Sequence, residues 1–447
     1  MARLLLAGID AGTTSIKALL VTPAGEEVAL GRAPTTWTPA PFGEETTGEA
    51  LAAGARAALA EALRQCPGDR VIGLGVASMA ESGVLTDDRD QPLAPVIAWH
   101  DHRDEAQLRD LVDTVGADAF SRTTGLPVWT QWSLTKHRWL RDHVPAVAAA
   151  TRRYNVAEWI VRSLGADRAT ELSLASRTGW LDIRHRHWWA ETLDWSGASA
   201  SLSARLVPAG TPMGVARTSG DLAALDGAVL TVAGHDHQAA AVGLGCHRPG
   251  DEFDSCGTAE ALLRTVEPGL SEAAILTLTR HGVTVGWHAA RDRWCLLGAT
   301  QGGLILGRVM SALGITRDRL TELDLAARVA ADRPGAVTLG PGAGDVVVDP
   351  AATQGEVWRA ATRAVSEQAA RLSDVLSQAG GHRTRLFVAG GWTNSAAYMA
   401  AKAEAVGSVR RVTTQEAGCR GAAVFAGIAA GTYAGLDDAP SATEVPS

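Results

Sequence analysis

Short apolar runs bounded by polar turns alternate with helical stretches along most of the chain. Leu4-Leu-Leu-Ala-Gly-Ile-Asp10 is continuously apolar up to its aspartate and leads into Ala-Gly-Thr-Thr-Ser, after which Ile16 to Val21 is apolar again. Two strands joined by a tight polar turn are predicted. Glu26 to Gly31 is a third strand candidate, and the Ala/Leu/Arg periodicity from about Glu49 to Gln65 predicts a helix. Val71 to Ala77, short and apolar after a polar turn, predicts a buried strand. Strand, helix and strand in alternation imply an α/β architecture.

From Asp104 to about Trp195 the pattern is mostly helical and rich in tryptophan, which predicts helix packing and core. Ala228 to Ala233 reads as a strand that delivers Gly234-His-Asp-His237, followed by a helix of small residues. The turn cluster Cys246-His-Arg-Pro-Gly-Asp251 marks a boundary. This divides the chain into domains at 1–247 and 248–436, with a loose tail at 437–447. Just past the boundary, Glu252-Phe-Asp-Ser-Cys-Gly-Thr258 echoes Gly8-Ile-Asp-Ala-Gly-Thr-Thr14, as expected of a duplicated fold holding a ligand between its halves. A long helix from about Gln354 to Ala379, a strand Arg385 to Ala389, the turn Gly390-Gly-Trp-Thr-Asn394 and a further helix follow. The small-residue stretch Gly421 to Leu436 reads as a buried helix.

With 447 residues, two domains are the natural prior. Apolar residues at 46% and charged residues at 20%, without blocks, fit a globular protein, and a formal charge of −8 with no Lys/Arg run gives nucleic acid or an anionic membrane no purchase. The five cysteines are scattered and form no CxxC pair, so reduced thiols in a cytoplasmic protein are expected. The apolar start is cut off by Asp10, too soon for a signal peptide or a membrane span.

No GxxxxGK[ST] and no GxGxxG after a strand occur, so phosphate binding would need another device. The turns Gly12-Thr13-Thr14, Gly257-Thr258 and Gly390-Gly391 can each present backbone N–H groups to an anion. Asp10, at the end of a buried strand, is placed where a carboxylate can hold Mg²⁺ or its waters.

Four segments in order, Gly8-Ile-Asp-Ala-Gly-Thr-Thr-Ser-Ile-Lys17, Trp99-His-Asp-His-Arg103, Gly234-His-Asp-His237 with Gly243, and Gly390-Gly-Trp-Thr-Asn394 with Gly421-Ala-Ala423, resemble the FGGY carbohydrate kinases. The likeness runs from about Leu4 to Gly431. It implies two ribonuclease H-like domains of the actin, hexokinase and Hsp70 type, with the active site in the cleft between them. It further implies an ATP- and Mg²⁺-dependent kinase acting on a small sugar or polyol. By resemblance Asp236 is the general base, Thr13 and Thr14 face the β- and γ-phosphates, and Gly257 and Thr258 approach from the other domain. Gly303, Gly390 and Gly391 then line the nucleotide cleft and Asn394 sits near the adenosine. Lys17 reads as a solvated charge at a strand end. A homodimer is the family expectation.

The substrate is expected against Glu81, Trp99, His100, Asp101, Arg103 and His237, with Gln131 and Trp132 as extra contacts, a set suited to a neutral polyhydroxylated molecule. Glycerol kinases carry an Arg-Glu pair where this chain has Ala80-Glu81, and xylulokinases carry Gln-Met-His-Gly where it has Ser78-Met-Ala-Glu81. Neither substrate pattern is matched. Two rivals stand beside the kinase: a metal-dependent hydrolase built on the pairs His100/His102, His185/His187 and His235/His237, and a non-catalytic sugar sensor of the same fold.

Overall fold

The computed structural model describes residues 2–198, 202, 204–340, 345–414, 416–440 and 442–445. Its first sheet is built from β1 (Leu4–Ala11), β2 (Ser15–Val21), β3 (Glu27–Pro34), β4 (Arg70–Ser78) and β5 (Val229–His235), in the spatial order β5-β4-β1-β2-β3. The β1/β2 and β2/β3 pairs are antiparallel, while β4 pairs parallel with both β1 and β5. Parallel pairing requires crossovers, and α1 (Gly48–Arg64) supplies the first of them. It is capped by the Thr47 side chain, which accepts from Ala50 N, and it buries Leu51, Ala55, Ala58, Leu59 and Ala62 on one face.

The second sheet repeats the plan. It comprises β6 (Asp251–Cys256), β7 (Glu260–Val266), β8 (Thr284–Trp287), β9 (Trp294–Thr300), β10 (Arg385–Ala389), β11 (Arg410–Thr413) and β12 (Thr443–Val445), in the order β8-β9-β7-β6-β10-β11-β12. Strands β6, β7 and β9 form an antiparallel series, while β10 and β11 continue in parallel on the other side of β6. The echo between the turns at 12–14 and 257–258 therefore marks the same β-hairpin in two like sheets. The tail was expected to be loose. Thr443–Val445 instead pairs antiparallel with β11, whose outer edge would otherwise carry unpaired backbone groups.

The stretch from Asp104 to Trp195 forms the helices Glu105–Val115, Ala117–Thr124, Ser133–His143 and Val156–Ser163, among others, around a cluster that includes Trp132, Trp139, Trp180 and Trp195. Trp129 departs from the core expectation and is 43% exposed. All five cysteines are buried and free, and no described helix is long and apolar enough to cross a membrane.

After β5 comes α2 (Asp236–Gly243), and the second sheet is served by α3 (Gly302–Ala312), α4 (Gln354–Gly380) and α5 (Ala396–Val406). The last long helix, α6 (Ala417–Ala429), follows β11 in the chain yet lies on the first sheet and against α2. Glycine makes that approach possible. A Cβ at Gly8 would come within 1.9 Å of Cys419 O, one at Gly75 within 2.1 Å of Ala422 O, and one at Gly73 within 2.8 Å of Ala426 O. Between the helices, a Cβ at Gly421 would lie 1.8 Å from Ala239 O. These are backbone contacts that a rotamer change cannot relieve.

Gly75→Ala and Gly421→Ala are therefore expected to destabilise the protein by about 3 kcal/mol or more. Gly307→Ala is the control: its Cβ would meet nothing within 4 Å inside α3, so a gain of about 0.5–1 kcal/mol is expected. Thermal unfolding of the three variants checks this, and equal melting temperatures for all of them would refute the packing argument.

Candidate active site

Strand β1 delivers Asp10 to the sheet edge, in register with Ala77 of β4. Strand β5 ends two positions over, and its chain turns at Gly234 (φ +94) into α2, so that Asp236 opens the helix. A side chain at Gly234 would meet Ser173 Oγ at 2.4 Å; that hydroxyl accepts from His235 N and donates to the Glu171 carboxylate. Loop and helix start are thereby fixed from behind.

Asp236 Oδ1 accepts from His237 N at 2.6 Å and lies 2.9 Å from His237 Nδ1 and 3.2 Å from His235 Nε2. No described residue hydrogen-bonds Oδ2, and the side chain is 22% exposed. Burial works against ionisation of Asp236, but His235 and His237 outweigh it and hold the carboxyl well below the usual range. His235 is pushed down to about 3, chiefly by burial, and stays neutral. Burial also opposes the charge on His237, but Asp236 prevails and its pKa is raised.

Asp10 is the opposite case. Burial first, then the Asp236 charge, push its carboxyl up to about 7, and its buried Oδ1 has no hydrogen-bond partner. An orphaned carboxylate oxygen close enough to a second carboxylate to feel its charge is what a hard divalent cation requires, so the residues present fit Mg²⁺. Behind Asp10, Gly418 at the start of α6 leaves room for the carboxylate, since a Cβ there would lie 2.4 Å from Oδ2. Lys17 is not a solvated charge: its ammonium reaches Glu416 Oε2 at 2.8 Å, joining β2 to the approach of α6.

Glu81 follows β4 in the left-handed region (φ +66), a conformation that a non-glycine residue adopts only where its surroundings enforce it. Arg153 donates to its carbonyl oxygen, as does Ser133 Oγ at 2.7 Å. Among the described residues the carboxylate is held on one oxygen: Oε1 accepts from Arg177 Nε at 2.7 Å and from Gln131 Nε2 at 3.2 Å. Arg177 lies over the Trp132 ring and also donates to Thr284 Oγ1 on β8. Arg177 gave no signal in the sequence, where it is one of eleven arginines between Asp104 and Trp195.

Trp99 Nε1 donates to Thr13 Oγ1 at 2.8 Å and Trp37 Nε1 to Thr13 O, so these rings fix the first glycine turn. Thr14 is exposed at its tip. His100 pairs with Glu44 at 2.9 Å and, with Trp99, Trp129 and Gln131, lines a cavity of about 510 Å³. Asp101 and Arg103, expected against the substrate, bind each other. The Arg103 guanidinium is fully buried over the Trp139 ring and is shared between Asp101 and Glu45, while Asp101 also accepts from Glu44 N. They brace the Gly43–Thr46 strand and present no free charge.

The turns of the second sheet that were expected at the nucleotide lie against one another. A Cβ at Gly303 would come within 2.0 Å of Gly257 O and 2.5 Å of Thr258 O, and one at Gly390 (φ +119) within 2.4 Å of Cys256 O. Gly391 faces Arg317, whose guanidinium stacks on Trp392 at 3.7 Å. Asn394 is exposed and lines a cavity of about 430 Å³ with Asp324, Arg328 and Ala397.

The histidine pairs do not form one metal shell. His185 and His187 cluster with Asp182 on an exposed hairpin, His235 and His237 flank Asp236, and His102 bonds Thr130 elsewhere. The convergence of the pairs that the hydrolase reading required is therefore not seen, and the two triads stand apart.

Residues 5–243 match the N-terminal domain of the FGGY family of carbohydrate kinases. The chain belongs to this family. It is 30% identical over 327 residues to the xylulose kinase of Streptomyces rubiginosus, an alignment that covers 70% of this chain and 64% of that protein. It is also 30% identical over 474 residues to the glycerol kinase of Aromatoleum aromaticum, covering 98% and 92% respectively. The crystal structure of a xylulose kinase from Rhodospirillum rubrum is similar with a TM-score of 0.86 and 25% identity, over 99% of this chain and 94% of that one. The FGGY fold thus accounts for both sheets.

One prediction follows from Asp10. A carboxyl whose folded pKa stands at about 7, against about 3.9 when unfolded, costs stability as pH rises through that window, and the loss is complete above it. Asp10→Asn should raise the melting temperature of the metal-free protein at pH 8 and leave it nearly unchanged at pH 4. Calorimetry at both pH values tests this; an equal shift at both would contradict the assigned titration.

Proposed function

We propose that the protein transfers the γ-phosphoryl group of ATP to a hydroxyl of a small neutral sugar or polyol, with Asp236 as general base. The observation that carries the proposal is that the Asp236 contacts gather on Oδ1, so an ionised Oδ2 is open to accept a proton. Glu81 has the same design. Its Oε1 is fixed by Arg177 and Gln131, which leaves Oε2 to orient a second hydroxyl of the acceptor. Two carboxylates facing the acceptor favour a neutral polyhydroxylated molecule over a sugar acid, because an anion would be repelled.

In this reading the acceptor lies between Glu81, His237 and the Trp99/His100 wall, and its attacking hydroxyl points at Asp236 Oδ2. The backbone N–H groups of the Gly12–Thr14 and Gly257–Thr258 turns receive the phosphates, and the adenosine end extends toward Gly391 and Asn394. Mg²⁺ beside Asp10 would neutralise charge on the phosphate oxygens. Closure of the cleft excludes water, so that the acceptor hydroxyl outcompetes hydrolysis. Asp236 takes the proton as the oxygen to phosphorus bond forms and ADP departs.

The experiment is ADP release with Mg-ATP over ketoses, alditols, sugar acids and cyclitols, with xylulose and glycerol included because relatives bear those names. Turnover with one neutral class is expected. Asp236→Asn should lose on the order of 10²–10⁴ in kcat while still binding ATP. Glu81→Gln should mainly raise the acceptor KM, by about tenfold, since it weakens a charge-assisted hydrogen bond. An Asp236→Asn enzyme with full turnover would sink the base assignment, and ATP binding without turnover on any acceptor would favour the sensor.

A further inference from the structure

Beneath the Gly257–Thr258 turn lies a buried charged cluster that the reaction as described does not use. Lys402 of α5 is fully buried, and its ammonium contacts both Asp254 of β6 and Glu260 of β7. Tyr398, one helical turn earlier, donates from its hydroxyl to Glu260 Oε1 at 2.5 Å and reaches Cys256 Sγ at 3.4 Å. On the other side, Thr300 Oγ1 donates to Glu260 Oε2 at 2.6 Å and accepts from Gly302 N at 3.2 Å, at the start of α3. Asp254, Cys256 and Glu260 have the spacing of a metal site, but the ammonium stands against both carboxylates and takes the place a cation would fill.

The two oxygens of Glu260 therefore couple the structures around the candidate phosphate site. Oε1 ties it to α5, which begins just after Gly390–Asn394; Oε2 ties it through Thr300 to the first N–H of α3, next to Gly303; and Glu260 itself sits two residues past Thr258. The backbone contacts of Gly303 with Gly257 and Thr258, and of Gly390 with Cys256, allow little slack between these pieces. A buried ion cluster is weak evidence for stability, because desolvation offsets its attraction. Its value lies in fixing geometry.

We propose that Lys402, Glu260 and Thr300 form a positioning hub that holds the Gly257–Thr258 turn and the N-terminus of α3 at the separation required by the phosphates of the nucleotide. The inference rests on the kinase reading, since it assigns the hub to nucleotide binding. It gives these residues no contact with the nucleotide; they act through the turns.

The test uses the full-length protein and three variants: Thr300→Val, Thr300→Ser and Lys402→Met. Calorimetric titration with MgADP, which needs neither turnover nor a known acceptor, is paired with melting temperatures. Thr300→Val is nearly isosteric and should fold, so it carries the main result even if Lys402→Met does not. Expected are an ADP Kd about tenfold weaker in Thr300→Val, rescue toward wild type in Thr300→Ser, and a melting temperature for Thr300→Val within a few degrees of wild type. With an active acceptor in hand, KM for ATP should rise while KM for the acceptor stays constant. Unchanged ADP affinity in Thr300→Val, or equal rises in both KM values, would reduce the hub to a structural cluster. If the wild-type protein binds no ADP, the kinase reading falls and the hub with it; ADP binding by wild type that Thr300→Val leaves intact overturns the hub alone.

Discussion

Everything in the site depends on how closely α6 can approach the first sheet and α2. That helix comes from the end of the chain, after β11 of the second sheet, yet its backbone rests on Gly8, Gly73 and Gly75 and touches α2 through Gly421. Two consequences follow from the contact. It joins the end of the second lobe's chain to the first sheet and α2. It also brings Gly418 against Asp10, so that the carboxylate at the end of β1 is enclosed rather than solvated. The raised pKa of Asp10 is an electrostatic result of steric permission granted by glycines.

Within that frame, the two carboxylates assigned to the acceptor share a device. Each has one oxygen saturated and the other without a described donor: Glu81 through Arg177 and Gln131, Asp236 through His235 and His237. Half-satisfied groups are costly in a folded protein, and they persist where a ligand completes them. The positive φ of Glu81 belongs to the same arrangement, because Arg153 and Ser133 anchor its carbonyl and so hold the residue in a conformation it would otherwise avoid.

Much of this was legible in the sequence because it is local. Strand ends followed by glycine turns, such as Asp10 to Thr14 and Gly234 to Asp236, carry their geometry in consecutive residues, and the strands of the first sheet were read nearly to their ends, whereas the Thr284–Trp287, Trp294–Thr300 and Arg410–Thr413 strands of the second were not. Long-range pairing was not legible. Nothing in Trp99-His-Asp-His-Arg103 distinguishes Trp99, which orients Thr13, from Asp101 and Arg103, which neutralise each other over Trp139. Arg177 and Glu81 are 96 positions apart and Lys402 and Glu260 are 142 apart, and neither pair has a periodic or motif signature. Lys17 was misread for the same reason, since its partner Glu416 lies 399 positions away.

The duplication explains why the buried carboxylates at equivalent strand ends of the two lobes have different surroundings. Aligning Gly12-Thr13 with Gly257-Thr258 sets Asp10 two residues before its glycine and Asp254 three before. Successive side chains on a strand point to opposite faces, so this single shift sends the two carboxylates to different sides of equivalent sheets. Asp10 points to the α6 side, where Gly418 leaves space and Asp236 adds negative charge; Asp254 points to the side covered by α5. Burial raises both carboxyls to about 7, so each calls for a positive partner. In the second lobe the chain provides one in Lys402, whose ammonium contacts Asp254 and Glu260. In the first lobe no lysine takes that place, because Lys17 is drawn away to Glu416. The buried Asp10 Oδ1 therefore keeps no hydrogen-bond partner among the described residues.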